Sequence, residues 1–285
     1  MPRLGCTPFE SRTRIILVLA MLVDCGTLGS GPAMAGESDH EASVCGALRE
    51  PLAFWAFRQG AGQANAGNAS GIANIERIDF ITRDGRTLGG YRLRAPTAAG
   101  YLLVVQGNAT LIDQIVHKIQ TFRRLGVDIY LYDYRGYGLS EGKSRLHAII
   151  EDYREIVASL NAQPYRRRLL YGMSMGGVIL LNAVGVTADY DALVIDSSPS
   201  RISRYGCPKI YDPVHHLPPD SSRIMILGGE RDRVVPIAQM EELMRVAQGR
   251  GAQVLRHPAL AHPFMDASTD LHQSRFQAVS DFLAR

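Results

Sequence analysis

An α/β fold on a mostly parallel, twisted sheet with helices on both faces is predicted by three features of this sequence. Apolar runs of strand length alternate with helical patterns from residue 75 onward. A glycine-rich turn joins one such strand directly to the helix after it. No repeat of fixed period and no long low-complexity tract interrupts the alternation. Regular β-α alternation makes successive strands parallel, because each helix carries the chain back to the same edge of the sheet. Ligands of such sheets sit beyond the carboxyl ends of the strands.

Taken in order, residues 75–82 and 87–94 flank Arg83-Asp84-Gly85-Arg86, a hairpin-like turn, so the sheet opens with an antiparallel pair. Residues 101–105 are continuously apolar, as in a strand buried on both faces, and a helix over 111–125 ends at Gly126. Strands follow at 127–132, 169–171, 192–195, 223–227 and 253–256, with helices at 146–160, 175–184, 237–248 and 267–283. The connection from Ser198 to Ser222 is too short for a separate lid domain.

Ahead of this domain, assigned to residues 75–285, residues 36–74 form an N-terminal extension and linker. A helix is expected over 42–59, with Leu48, Leu52, Trp55 and Phe57 available to pack. Residues 60–74 are small and polar and read as a flexible connection. Residues 1–35 have the pattern of an export signal: Arg3, Arg12 and Arg14 precede an apolar run over 15–23, and Ala33-Met34-Ala35 supplies a cleavage site. That run falls short of the roughly twenty residues of a membrane span. Cleavage leaves a periplasmic or secreted chain, while an uncleaved anchor or a lipid at Cys25 leaves a tethered one. The pair Cys45 and Cys207 remains after cleavage, either as a disulfide or as two buried thiols.

At 285 residues and 46% hydrophobic, the chain can bury a full core. A net charge of +3, with basic residues scattered, argues against nucleic acid as a partner. Arg166-Arg167-Arg168 reads as a solvated loop before a strand.

The chemistry centres on Gly172-Met173-Ser174-Met175-Gly176. A G-x-S-x-G turn needs glycine on either side because the strand reverses so sharply into the helix that a Cβ would clash, and the strain exposes the serine hydroxyl. Alone the motif is weak, since chance yields it in roughly one chain of this length in ten. A serine nucleophile also needs an imidazole to take its proton and a carboxylate to orient that imidazole. Asp232 lies just past the strand at 223–227 and is the favoured acid, ahead of Asp196, Glu230 and Asp266. His262, between the last strand and the last helix, is the favoured base, ahead of His257. His215 and His216 lack metal-ligand spacing. The oxyanion donors expected are the backbone N–H groups of Asn108, in the turn after the third strand, and Met175.

Four segments in order carry a resemblance: Gln106-Gly107-Asn108-Ala109, Asp133-Tyr134-Arg135-Gly136-Tyr137-Gly138-Leu139-Ser140-Glu141-Gly142, Gly172-Met173-Ser174-Met175-Gly176-Gly177 and Ala261-His262-Pro263-Phe264. From about residue 75 to the C-terminus the chain resembles the lid-less, abhydrolase-domain serine esterases and thioesterases of the α/β-hydrolase family. The resemblance implies an exported serine hydrolase that cleaves a carboxylic ester or thioester of a small-molecule or acylated substrate through an acyl-enzyme, with no metal or organic cofactor. A peptidase or amidase with the same triad, or a non-catalytic binding protein of the same fold, are the alternatives. Relatives usually carry His where Gln106 stands, which bears on the hydrogen bonding of the pocket.

Overall fold

A computed structural model describes residues 39–285; the expected export signal, including Cys6 and Cys25, lies outside the described residues. Strands β1 (Ile75–Ile81), β2 (Thr87–Leu93), β3 (Gly100–Val105), β4 (Asp128–Tyr132), β5 (Arg167–Met173), β6 (Ala192–Asp196), β7 (Ile224–Gly229) and β8 (Gln253–His257) form one eight-stranded sheet. Its order is β1-β2-β4-β3-β5-β6-β7-β8. The pairings of β2 with β1 and β4 are antiparallel, and all the others are parallel. The expected strands are therefore all present, with ends within two residues of those expected.

Strand alternation sends side chains to two cores. Tyr101, Leu103 and Val105 of β3 face one side, with α1 (Arg49–Ala61), α3 (Leu146–Asn161), α4 (Met175–Leu180) and α5 (Ile237–Gly249). Leu102 and Val104 face the other, with α2 (Ile112–Ile119) and α6 (Thr269–Leu283). All six β3 residues are buried, which is why the run reads as continuously apolar. The helix expected over 111–125 is α2 followed by a 3-10 turn (Gln120–Leu125), and Gly126 ends it in the left-handed region at φ 67°. Between β6 and β7 the chain makes only short 3-10 turns, so there is no lid domain.

The extension departs from its expected form. The helix begins at Arg49 rather than near residue 42, because residues 39–48 are held elsewhere. Cys45 is joined to Cys207 by a disulfide, and its N–H donates to Glu50 Oε2 at 2.7 Å. The Leu146 N–H at the start of α3 donates to the other oxygen, Oε1, at 2.6 Å. Leu48, Leu52 and Trp55 do not pack: they are exposed, while Glu50, Phe54 and Ala61 are buried. Residues 60–74 are not a loose connection either. The Asn65 N–H donates to Asp113 Oδ2 at 2.6 Å, Gln114 Nε2 to the Ala61 carbonyl at 2.7 Å, and Ala69 and Ile72 are buried. Bridging residues 162 apart, the disulfide is worth about 5 kcal/mol of loop entropy in a chain-entropy treatment.

A buried guanidinium ties the extension to the sheet. Arg135 is fully buried and donates to both oxygens of Asp152, to both of Asp84 in the β1–β2 turn, and to Glu41 Oε1 at 3.1 Å. The Arg135 hydrogen bonds hold the Asp84 carboxyl well below its ordinary value of 3.8. A carboxylate depressed in the folded state stabilises above its unfolded pKa, and that contribution fades as pH falls through the folded one. Wild-type stability should therefore decline as pH drops below about 4. Asp84→Asn should cost about 2 kcal/mol near neutrality and flatten that decline. Urea melts across the acid range compare the two slopes.

Candidate active site

Strands β3, β5, β7 and β8 run parallel, so the turns that leave them gather at one edge of the sheet. At the exit of β5 the chain reverses into α4 through Ser174, whose backbone sits at φ 54° and ψ −117°. The space around it explains the glycines. A Cβ on Gly172 would lie 2.7 Å from the Gly176 carbonyl oxygen, and one on Gly176 would lie 2.1 Å from that of Val105. At Gly177 it would meet Ser198 Oγ at 2.1 Å. Ser198 Oγ in turn donates to the Ser174 carbonyl at 2.7 Å, and the Ser174 N–H donates to the Asp196 carbonyl at 2.7 Å. The strained residue is thus held from both sides. Ala109, Ser174, Ser197 and Phe264 are four of the six non-glycine residues with positive φ among those described, and all four lie in turns at this edge.

The structure brings Asp232 and His262 together. His262 Nδ1 lies 2.8 Å from Asp232 Oδ2, with both side chains nearly buried. The other carboxylate oxygen, Oδ1, accepts the N–H groups of Val234 and Val235 at 2.8 Å each, which fixes the carboxylate plane. The two loops are stitched together by the Glu230 N–H to the His257 carbonyl and the Arg231 N–H to the Leu260 carbonyl, each 3.0 Å. A Cβ on Gly229 would lie 2.0 Å from the Leu260 oxygen, so glycine there permits the approach. Among the described residues Ser174 Oγ takes no hydrogen bond, from His262 or any other group.

The rivals are engaged elsewhere. His257 Nδ1 accepts the Ala259 N–H within its own turn, and Glu230 pairs with Arg256. Asp196 is fully buried and accepts Arg275 Nη1 at 2.6 Å and the Tyr171 hydroxyl at 2.8 Å. Asp266 accepts Arg275 Nε and Nη2, each at 3.0 Å, and the Ala261 N–H at 2.9 Å. Burial alone would raise the Asp266 carboxyl, but hydrogen bonds from His272 and Arg275 more than offset this and hold it well below the usual range. Arg275 also donates to the Ala261 carbonyl. The loop bearing His262 therefore rests on a fully buried arginine that the sequence does not single out, since its partners lie 9, 14 and 79 residues away.

In the turn after β3, Asn108 Oδ1 accepts the Tyr137 hydroxyl at 2.7 Å and the Ala109 N–H at 3.0 Å. Tyr137, from the second of the four segments, thus braces the Asn108 side chain as well as packing. Among the described residues neither the Asn108 N–H nor the Met175 N–H has a partner; Met175 is the first residue of α4, where helical N–H groups are left over. Gln106 is fully buried and points inward: Nε2 donates to the Tyr132 carbonyl at 3.1 Å, and Oε1 has no partner. His215 and His216 bond to nearby backbone carbonyls. His40, Asp84 and Asp152 offer atoms within 4.8 Å of one another, but the Arg135 guanidinium already bonds both carboxylates.

The family described as serine aminopeptidase, S33, matches residues 96–214. The Saccharomyces cerevisiae membrane protein YNL320W is 23% identical over 253 residues, covering 81% of this chain and 87% of that one. The structure of the Pyrococcus furiosus esterase Pf2001 superposes with a TM-score of 0.62 at 14% identity, covering 78% of this chain and 96% of that chain. XC6422 from Xanthomonas campestris, a member of the α/β serine hydrolases without lid, superposes with a TM-score of 0.54 at 15% identity, covering 74% of this chain and 92% of that chain.

Space at the turn and chemistry at the serine are separable. Gly176→Ala should destabilise by roughly 3 kcal/mol or more, because the new Cβ meets backbone. Ser174→Ala should change stability by less than about 1 kcal/mol. Thermal melts of the two variants give the comparison, and equal melting temperatures would contradict the steric account of the turn.

Proposed function

Because this chain is an α/β hydrolase by fold, we propose that it is an exported serine hydrolase that cleaves a carboxylic ester or thioester. The observation that carries the reading is the 2.8 Å contact between His262 Nδ1 and the buried Asp232 carboxylate, at the same sheet edge as the strained Ser174. With Nδ1–H donated to Asp232, the neutral imidazole presents Nε2 as a base. Ser174 Oγ attacks the substrate carbonyl as His262 takes its proton. The oxyanion is stabilised by the N–H groups of Asn108 and Met175, each donor worth about 3 kcal/mol in the transition state. Collapse expels the alcohol or thiol with a proton from His262. Water, activated by the same imidazole, then releases the acid from the acyl-enzyme.

Export is supported by the pattern of residues 1–35 and by the disulfide between Cys45 and Cys207, which persists in oxidising compartments. A second reading, a peptidase with the same triad, is favoured by the family description that matches residues 96–214.

Wild type should be labelled by a fluorophosphonate probe and should hydrolyse p-nitrophenyl esters, and Ser174→Ala should abolish both. His262→Ala should lower ester turnover by about a thousandfold or more, with His257→Ala near wild type. Absence of labelling in folded wild type would overturn the catalytic reading, and faster turnover of peptide amides than of esters would favour the peptidase.

A further inference from the structure

Helix α1 carries an apolar stripe that faces away from the protein. Leu48, just before it, is 77% exposed, Leu52 53% and Trp55 56%; their spacing of four and three residues sets them on one side of the helix. The opposite side buries Glu50, Phe54 and Ala61. The stripe is held rigidly, since Cys45 is bonded to Cys207 and Arg49 Nη1 donates to the Tyr205 carbonyl at 3.4 Å. The segment so tied adds Ile210, which is 70% exposed.

The exposed charges of α1 and of the segment tied to it have one sign. From residue 42 to residue 74 the one acidic residue is Glu50, which is buried with its oxygens taken by the Cys45 and Leu146 N–H groups. Arg58, Arg204 and Lys209 are exposed on α1 and on the segment tied to it. Glu151 of α3, whose charge is felt at Tyr211, is paired with Arg154.

We propose that this face docks on an anionic lipid surface. Leucines enter the acyl region, an indole sits at the level of the headgroups, and arginine and lysine reach lipid phosphates. A second copy of the chain fits less well, because two such faces would bring their cationic rims together. Helix α1 lies between that surface and the candidate site: on its inward side Phe54 packs edge-on against Tyr137, whose hydroxyl is bonded to Asn108. Docking therefore leaves one helix between the lipid and the turn after β3, whatever reaction the site performs.

Trp55 is the sole tryptophan of the chain, so its emission reports this contact directly. Vesicles of equimolar phosphatidylcholine and phosphatidylglycerol, added to the purified full chain, should shift the emission to the blue. Brominated acyl chains should quench it, and phosphatidylcholine alone should have much less effect. Leu48→Ser with Leu52→Ser keeps the fluorophore and should weaken partitioning roughly tenfold or more. Arg58→Glu with Lys209→Glu should remove the preference for phosphatidylglycerol. Two results would overturn the proposal: emission unmoved by the anionic vesicles, even when the chain sediments with them through another segment, or a blue shift that grows with protein concentration in the absence of lipid.

Discussion

The constraint on which the rest of the candidate site depends is the lack of room for a Cβ where β5 turns into α4. Gly172, Gly176 and Gly177 each abut an atom of a neighbouring segment at a distance no Cβ could keep, and one of those atoms is the carbonyl oxygen of Val105 at the end of β3. The close approach brings the turn after β3, with Gly107 and Asn108, against the turn that holds Ser174. A Cβ on Gly107 would lie 3.4 Å from Ser174 Cβ, an ordinary contact, so the two turns touch without interpenetrating. The geometry of one turn thus sets the distance between a serine and the backbone N–H groups on either side of it.

Two buried arginines extend that order outward. Arg275 joins Asp196 at the end of β6 to Asp266 and the Ala261 carbonyl in the loop after β8. It therefore couples the strand that receives the Ser174 N–H to the loop that carries His262. Arg135 does the same on the other flank, joining the β1–β2 turn, α3 and the N-terminal extension. Removing a fully buried member of such a set, Asp152 or Asp266 rather than the part-exposed Asp84, generally costs roughly 3–5 kcal/mol, because the charge left behind has no water to replace it. These contacts place loops rather than supply net stability.

How much of this could be read in the residues depends on the range of the interaction. The strands announce themselves because those buried on both faces must be apolar throughout, as β3 is. That Asp232 and His262 meet is legible because they lie in the loops after two neighbouring parallel strands, which leave the sheet at the same edge. The start of α1 was not, because what holds residues 39–48 out of the helix is a disulfide and a buried glutamate whose partners lie about a hundred or more residues on. The apolar residues of α1 misled for a related reason: helical spacing gives two faces, and only tertiary packing decides that Phe54 turns inward while Leu52 and Trp55 turn outward. Residues 60–74 looked loose because their composition is small and polar. Their order comes from Asp113 and Gln114 on α2, added to the local hydrogen bonds that the Asn65 and Ser70 side chains make with Gly67.

The extension is thereby the least local part of the fold and the part most dependent on its surroundings. Its own core is slight, essentially Phe54, Ala61, Ala69 and Ile72. What fixes it is a covalent bond to the β6–β7 connection, two buried carboxylates and the contact of Phe54 with Tyr137. Since Tyr137 also holds Asn108, the extension reaches the turn after β3 through a single side chain. In a reducing environment the bond between Cys45 and Cys207 would be lost, and with it the covalent tie of the extension to the β6–β7 connection. The integrity of the turn beside Ser174 is therefore tied, through one helix and one tyrosine, to the compartment in which the chain folds.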